Sequence, residues 1–373
     1  DNMYAYQWYA RAIDIDFANL PVALTGYQLK LVIDTAQLCN EGKLMQDLSN
    51  IRFIMIYRGD IIYLPHVIEN QYGEVQETGT PSTETKIWIK IPHAEPRTAI
   101  TVFMLYGPDV RSQFSGADVF DFYTDFSSLS GWALYGAMPS LIYVSNASTP
   151  VLRMAGWGEI VYKFKEPLSS PVIIWESRSK VYSGMQAYMP FLGFGSSDRS
   201  GDEDNAYQYG YNVFANQFVD NIRIFYQGSV VAHISSSSEY SQRTDWAYLT
   251  FSIEETDGKR ILRQRIVSAD RGECLLTLED EQYWVGAKPV EHGIICWGDV
   301  VYLVDWLRIH KYRQEYQSIS IGEEMAGYDS DGDGICDMLE SMLGTNITDS
   351  DTDHDGLLDG EEIAYYSDPK NSD

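Results

Sequence analysis

Lys86-Ile87-Trp88-Ile89-Lys90-Ile91 alternates polar and apolar residues without a break and ends at Pro92. A period of two sends every second side chain to one face, so this stretch reads as a strand with one buried face. Upstream, Tyr27-Gln-Leu-Lys-Leu-Val-Ile33 obeys the same rule. Ile51–Tyr57 and Ile61–Leu64 flank Arg58-Gly59-Asp60, a hairpin signal. Downstream, the apolar run Thr101–Tyr106 is closed by Gly107-Pro108. Short strands separated by turn residues predict an antiparallel sandwich over residues 1–112.

The β pattern continues from Val119 to about Arg313. It opens with Val119-Phe-Asp-Phe-Tyr-Thr-Asp-Phe126 and closes with Val300-Val-Tyr-Leu-Val-Asp-Trp-Leu-Arg-Ile-His-Lys-Tyr312. Between them lie runs such as Val172–Arg178, Asn221–Tyr226 and Ala247–Ile253. About a dozen strands suit a two-sheet jelly roll. The expected fold class is therefore all-β. It has two consecutive antiparallel, jelly-roll-like sandwiches (1–112 and 113–315), a linker (316–327) and a small tail (328–373) whose organisation follows from its acidic residues.

The 373 residues carry a net charge of −27, which gives no general attraction for nucleic acid or an anionic membrane surface. No apolar run is long enough for a transmembrane helix. The charge is concentrated at one end: residues 323–373 hold sixteen acidic residues and one basic residue, a net of −15. There Asp329-Ser-Asp-Gly-Asp-Gly-Ile-Cys-Asp-Met-Leu-Glu340 reads as a twelve-residue loop. Asp329, Asp331, Asp333, Asp337 and Glu340 offer carboxylates, Ile335 offers a carbonyl, and Gly334 stands at the sharp turn. The pattern recurs 22 residues on with Asp351, Asp353, Asp355, Leu357 (carbonyl), Asp359 and Glu362. Five carboxylates per loop repel one another unless a hard divalent cation lies among them, and flexible oxygen cages favour Ca²⁺. At least two Ca²⁺ ions are expected. The ten residues Ser341–Ser350 leave no room for the paired helices of a calcium sensor, and Gly344 is a helix stop. Met338, Leu339, Met342, Leu343, Leu357 and Ile363 are too few for a separate core, so the ions should belong to the fold.

Three resemblances follow from these residues. From Tyr328 to Asp373, Asp329-Ser-Asp-Gly-Asp-Gly, Leu343-Gly-Thr-Asn346 and the Asp349–Glu362 run resemble thrombospondin type 3-like calcium repeats. That resemblance implies a structural role in spacing, stiffening and docking. His354 stands where the pattern usually has glycine. Asp47–Phe53, Ile87–Pro92 and Leu105–Pro108 resemble a domain of unknown function that precedes lectin-like domains in secreted surface proteins of prokaryotes, archaea included. Phe120–Phe126 and Val304–Arg308 resemble concanavalin-like lectin and glucanase sandwiches, which implies glycan binding or glycoside hydrolysis.

Hydrolysis is not expected. Retaining glucanases need two carboxylates about 5 Å apart, and residues two apart on a strand share a face. Glu176 is single, Glu279-Asp280-Glu281 reads as a turn, and Glu254-Glu255 precedes the hairpin tip Asp257-Gly258. No catalytic residues are assigned. The Ser196–Tyr211 loop, with Asp198, Asp202, Glu203, Asp204 and Asn205, is a candidate cation or glycan loop, or a solvated one.

Cys39, Cys274, Cys296 and Cys336 are disulfide candidates, with Cys274–Cys296 the most local pairing and free buried thiols the other reading. Asn146-Ala-Ser and Asn346-Ile-Thr have the form of glycosylation acceptors. A chain beginning at Asp1 is either exported with removal of a signal peptide, the simpler reading, or a fragment. The sequence supports an extracellular, calcium-stiffened structural subunit of a surface filament, fibre or layer that self-associates. Asp1–Phe17 would be the donor strand. The other reading is an adhesin or lectin that binds glycans.

Overall fold

The computed structural model describes residues 7–108, 110–111, 114–136, 139–145, 147, 150–156, 158–183, 188–194, 209–215, 220–226, 229–236, 245–269, 272–296, 301–325 and 327–372. The chain forms two compact units. Unit 1 joins Asp1–Phe120 to Tyr312–Asp373, and unit 2 is Asp121–Lys311. Both are antiparallel β structures, in agreement with the expected class.

The first eight strands of unit 1 are β1 (Tyr9–Asp16), β2 (Leu24–Ile33), β3 (Arg52–Tyr57), β4 (Asp60–Tyr63), β5 (His66–Glu69), β6 (Val75–Gln76), β7 (Thr85–Ala94) and β8 (Ala99–Tyr106). One sheet has the order β2, β7, β5, β6. Its strand β7 carries the alternation that opened the sequence reading: Ile87, Ile89 and Ile91 are fully buried. The strand runs past Pro92 to Ala94. Pro92 lies between the paired residues Ile91 and His93, where the ladder skips both it and Gly26 of β2. The other sheet has the order Ser318–Met325, β1, β8, β3, β4. Arg58 (φ +56°) and Gly59 (φ +99°) make the tight turn between β3 and β4, which confirms that hairpin.

Three expectations need correction here. Residues 318–325 are not a linker but an edge strand, whose Ile321 pairs with Ile13 and whose Met325 pairs with Ala10. Its side chains are mostly exposed, so it lacks the buried face that reveals a strand in sequence. The β1 segment is not held out for a neighbouring subunit: it lies between β8 and Ser318–Met325, paired on both sides. The units also divide at 120/121 and 311/312 rather than at 112/113 and 315/316. The reason is packing on Trp88, whose ring meets Phe120 at 5.2 Å and Tyr312 at 5.4 Å. Gln28 adds a bond from its Nε2 to the Val119 carbonyl.

Unit 2 has two sheets. One runs Trp132–Gly136, Gly158–Lys163, Glu291–Cys296, Tyr188–Gly193, Tyr209–Ala215, Asp220–Tyr226, Ser229–Ser235. The other runs Ser140–Ile142, Val151–Ala155, Val301–His310, Val172–Ser183, Ala247–Thr256, Lys259–Ser268, Gly272–Asp280, with Phe122–Thr124 also beside Val301–His310. Inward residues of both sheets, among them Trp175, Phe251, Tyr211 and Ile294, form one apolar core. The closing run Val300–Tyr312 supplies Val304, Leu307 and Ile309 to it.

The four cysteines are buried and unbridged, which corrects the disulfide candidates. Cys274 lies on Gly272–Asp280 and Cys296 on Glu291–Cys296, strands of different sheets. Burial pushes the Cys296 thiol up to about 12 and also raises that of Cys39, as for inert core thiols. No helix among the described residues is long and apolar enough to cross a membrane.

Candidate metal centre

Two short helices, Asp337–Leu343 and Asp359–Tyr365, each follow one acidic loop. Gly344 (φ +82°) ends the first in the left-handed conformation, the stop expected there. The two loops fold alike. In the first, the Asp329 carboxylate accepts the Gly332 and Gly334 amides at 2.7 and 3.0 Å, and Asp333 accepts the Ile335 amide at 2.7 Å. In the second, Asp351 accepts the Asp355 and Gly356 amides at 3.2 and 3.0 Å, and Asp355 accepts the Leu357 amide at 3.0 Å. The turn glycines adopt φ +96° at Gly334 and +101° at Gly356, as that loop position requires.

Gly332 and His354 occupy the same place in the two loops, with φ +79° and +63°. A non-glycine residue there is strained. His354 is exposed and its Nε2 lies 3.3 Å from the Asp349 carboxylate, an interaction of small value at a surface. His354→Gly is expected to stabilise the calcium-loaded tail by roughly 0.5–1 kcal/mol. Thermal melts in calcium check this, and a lower melting temperature would contradict it.

The acidic side chains gather into three groups among the described residues, with ligand atoms within 4.8 Å of one another. They are Asp329/Asp331/Asp333, Asp351/Asp353/Asp355, and Asp333/Glu340/Asp359. The third joins the two loops and is wholly buried. The sequence reading assigned Asp359 to the second loop alone, and nothing in the spacing of one loop shows that its partner's carboxylate will reach it. Asp337 stands outside all three groups. Its oxygens accept the Ser330 amide and hydroxyl, both at 2.8 Å. Asp359 accepts the Thr352 amide and hydroxyl in the same manner, at 2.8 and 2.7 Å. Glu362, in the last position of the second loop, is fully buried.

Both oxygens of Asp331, Glu340 and Glu362, and one each of Asp333 and Asp353, are buried without a hydrogen-bond partner. A buried carboxylate without a partner is costly, and here several share one small volume. Burial, then the charges of Asp331, Glu340 and Asp329, pushes Asp333 up to about 8. Burial and neighbouring acids push Glu340 and Glu362 up to about 7, and they raise Asp331 and Asp359 as well. A donor set made only of carboxylate oxygens and backbone fits a hard divalent cation of Ca²⁺ type. Bound among these groups, the ion would supply the missing positive charge and fix the loops.

The sign of the pH dependence without metal follows. These carboxyls have folded pKa values above their unfolded ones, so their contribution is complete below about pH 4 and lost as pH rises through about 7–8. In chelator the tail should therefore melt higher at about pH 5 than at about pH 8, and calcium should reverse the order because it binds the ionised form. Calorimetry at both pH values, with and without calcium, checks this.

The tail shares a core with the sheet of β1, β8, β3 and β4. Ile335, Cys336, Leu339, Leu343, Ile363 and Ala364 pack with Trp8, Ala10, Ile54, Ile61, Phe103, Leu105 and Met325. This meets the expectation that the tail has no core of its own; Met338 and Met342 remain exposed. Trp8 bonds both repeats: its amide donates to Gly334 O at 2.8 Å and its indole Nε1 to Gly360 O at 2.9 Å. Gly360 has no room for a Cβ, which would press into the Asp333 carbonyl oxygen. Beyond the helices, Asp368 accepts the Ile61 amide at 3.0 Å, and Tyr63 donates to Ser367 O at 2.7 Å. Lys370 donates to Gly59 O at 2.7 Å, and Tyr366 covers the Arg52 guanidinium at 4.4 Å.

The other candidates are placed as follows. Asn346 is exposed in a turn, its side-chain oxygen accepting the Thr348 hydroxyl at 3.1 Å. Asn146 and the acidic residues of the Ser196–Tyr211 loop lie outside the described residues. Arg308 holds Glu176 through Nε at 2.8 Å and Nη2 at 2.7 Å, with His310 at 3.3 Å. Asp280 accepts the amides of Gln282, Tyr283 and Trp284 and the Tyr211 hydroxyl. Glu254 and Glu255 pair with Arg263 and Arg260.

Residues 329–346 and 351–372 match the bacterial TSP3 repeat family, the part of the chain that carries the three acidic groups. No curated protein sequence matches the chain. Among solved structures it is similar to a legume lectin-like domain from Entamoeba histolytica, with 14% identity, a TM-score of 0.36, and coverage of 50% of this chain and 92% of that one. It is likewise similar to a Lotus tetragonolobus seed lectin (9%, TM-score 0.35, 54% and 99% covered). A third is the VIP36 exoplasmic/lumenal domain in a Ca²⁺/Man3GlcNAc-bound form (10%, TM-score 0.37, 51% and 87% covered). The acidic end of this β protein is thus a pair of calcium-binding-type repeats packed within unit 1.

Proposed function

We propose that this chain is an extracellular, calcium-stabilised structural protein of the cell surface, whose ions lock the C-terminal repeats onto the N-terminal sheet. The observation that carries the reading is the set of buried carboxylates without partners beside the two Trp8 bonds. At least two Ca²⁺ ions would be held by Asp329, Asp331, Asp333, Glu340, Asp351, Asp353, Asp355, Asp359 and Glu362, with the Ile335 and Leu357 carbonyls. Two such ions remove four of the fifteen net negative charges of residues 323–373 and so lessen repulsion between copies. Self-association into a filament, fibre or layer is therefore calcium-dependent in this reading. Sedimentation of the wild type, Asp333→Ala and Asp355→Ala in calcium and in chelator tests it. Larger species confined to calcium-loaded wild type support it, and a wild type that stays monomeric at high concentration in calcium defeats it.

A second reading, glycan binding by unit 2, is favoured by its two-sheet build together with the sequence resemblance to concanavalin-like lectins. Binding on a glycan array would favour it. Neither reading includes hydrolysis, because the sequence carries no row of paired carboxylates on one strand face of the kind a retaining glucanase needs. Reducing-sugar release from β-glucans is expected to stay at background, and release that a single Glu→Gln change abolishes would overturn this.

A further inference from the structure

The two acidic loops correspond residue by residue at a spacing of 22, yet one contact between them runs in a single direction. Asp337 and Asp359 hold the same place in their loops. Each accepts the amide and the hydroxyl of the residue seven places before it, Ser330 or Thr352. Asp337 is half-buried and belongs to none of the three acidic groups. Asp359 is fully buried, and its carboxylate lies within 4.8 Å of ligand atoms of Asp333 and Glu340 in the other loop. The next residue accounts for the difference. Gly360 lets its helix sit directly on the Asp333 carbonyl, where a Cβ would collide. Its counterpart in the first repeat is Met338, which is 53% exposed.

Glu340 is fully buried beside Asp359, and neither of its oxygens has a hydrogen-bond partner among the described residues; one oxygen of Asp333 is in the same state. Carboxylates gathered out of water in this way need a hard cation between them. A carboxylate oxygen has two lone pairs, so Asp359 can keep its Thr352 bonds and still face such an ion. Thr352 in turn stands between the second-loop ligands Asp351 and Asp353. A line of contacts therefore runs from the second loop through Thr352 and Asp359 to Asp333 and Glu340 of the first. We propose that Asp359 is a ligand of the first repeat's ion, so that the two repeats take up calcium cooperatively, each ion raising the affinity of the other. The coupling presupposes the calcium binding proposed above and adds its regulation.

The test is calcium titration of the full chain by calorimetry, with native mass spectrometry to count the ions on each molecule. The wild type is expected to show a Hill coefficient clearly above 1, with empty and doubly loaded molecules outnumbering singly loaded ones at half-saturation. Thr352→Val removes one bond to Asp359 and no ligand. It should weaken the coupling about tenfold and bring the Hill coefficient toward 1. Gly360→Ala, which pushes Asp359 away from the first loop, should do the same. Ser330→Ala and Met338→Ala make the corresponding changes in the first repeat and should leave the Hill coefficient at its wild-type value. Independent ions in the wild type, or a Thr352→Val variant as cooperative as the wild type, would overturn the coupling while leaving calcium binding in place. A chain that binds no calcium would overturn both.

Discussion

Chelation of calcium at about neutral pH should lower the melting temperature of unit 1 by roughly 10 °C or more and leave that of unit 2 where it was. A ligand present at a hundredfold excess over its Kd adds about 2.7 kcal/mol per site, so two sites add roughly 5 kcal/mol. For a unit of this size each kcal/mol moves the midpoint by about 2–4 °C. Without metal, the buried oxygens of Asp331, Glu340 and Glu362 must protonate or pull their loops apart to reach water. All three acidic groups lie in unit 1, so the effect is confined to it. Differential scanning calorimetry with and without chelator reads this directly. Superimposable curves would show that calcium contributes nothing to the fold.

Trp8→Ala should cost about 3–5 kcal/mol, the usual range for a buried tryptophan, and release the tail even in calcium. Trp8 is 2% exposed, packs among residues of both sheet and tail, and bonds one backbone carbonyl in each repeat. Trp8→Phe keeps most of the apolar contact and loses the indole bond to Gly360, so it should cost about 1–3 kcal/mol. Whatever calcium adds to docking, docking adds to calcium affinity, so both variants should also bind the ion more weakly. Denaturant titration and calcium calorimetry on the same samples check both halves. A Trp8→Ala variant with wild-type midpoint and affinity would show that the tail folds without its anchor.

The β class and the two acidic loops were legible because each is written locally. Alternation in Lys86–Ile91 marks one buried face, and carboxylates at fixed steps around Gly334 and Gly356 mark one loop each. What depends on contacts between distant residues was not legible. Asp359 reaches Asp333 and Glu340 only because Gly360 packs on the Asp333 backbone, and no single loop carries that information. Asp337, by its position a ligand, is spent on Ser330. Ser318–Met325 read as a linker because its alternation stops after Ile319 and Ile321, where Gly322 and Glu323 follow, and both of its faces are largely exposed. Its pairing with β1 also explains why Asp1–Phe17 read as a free donor: the acceptor lies some 300 residues away along the chain. The even number of cysteines suggested bridges, but burial in apolar cores explains the thiols equally well.

The central claim is that calcium and Trp8 hold the repeats on the sheet of β1, β8, β3 and β4 as one cooperative body. Hydrogen–deuterium exchange of the full chain, with calcium and with chelator, tests it most directly. The account predicts that residues 328–372 and β1 are protected together in calcium and lose protection together in chelator, while strands of unit 2 such as Val172–Ser183 do not change. A tail that exchanges equally in both conditions, or that loses protection while the Trp8 and Ile61 amides keep theirs, would contradict it.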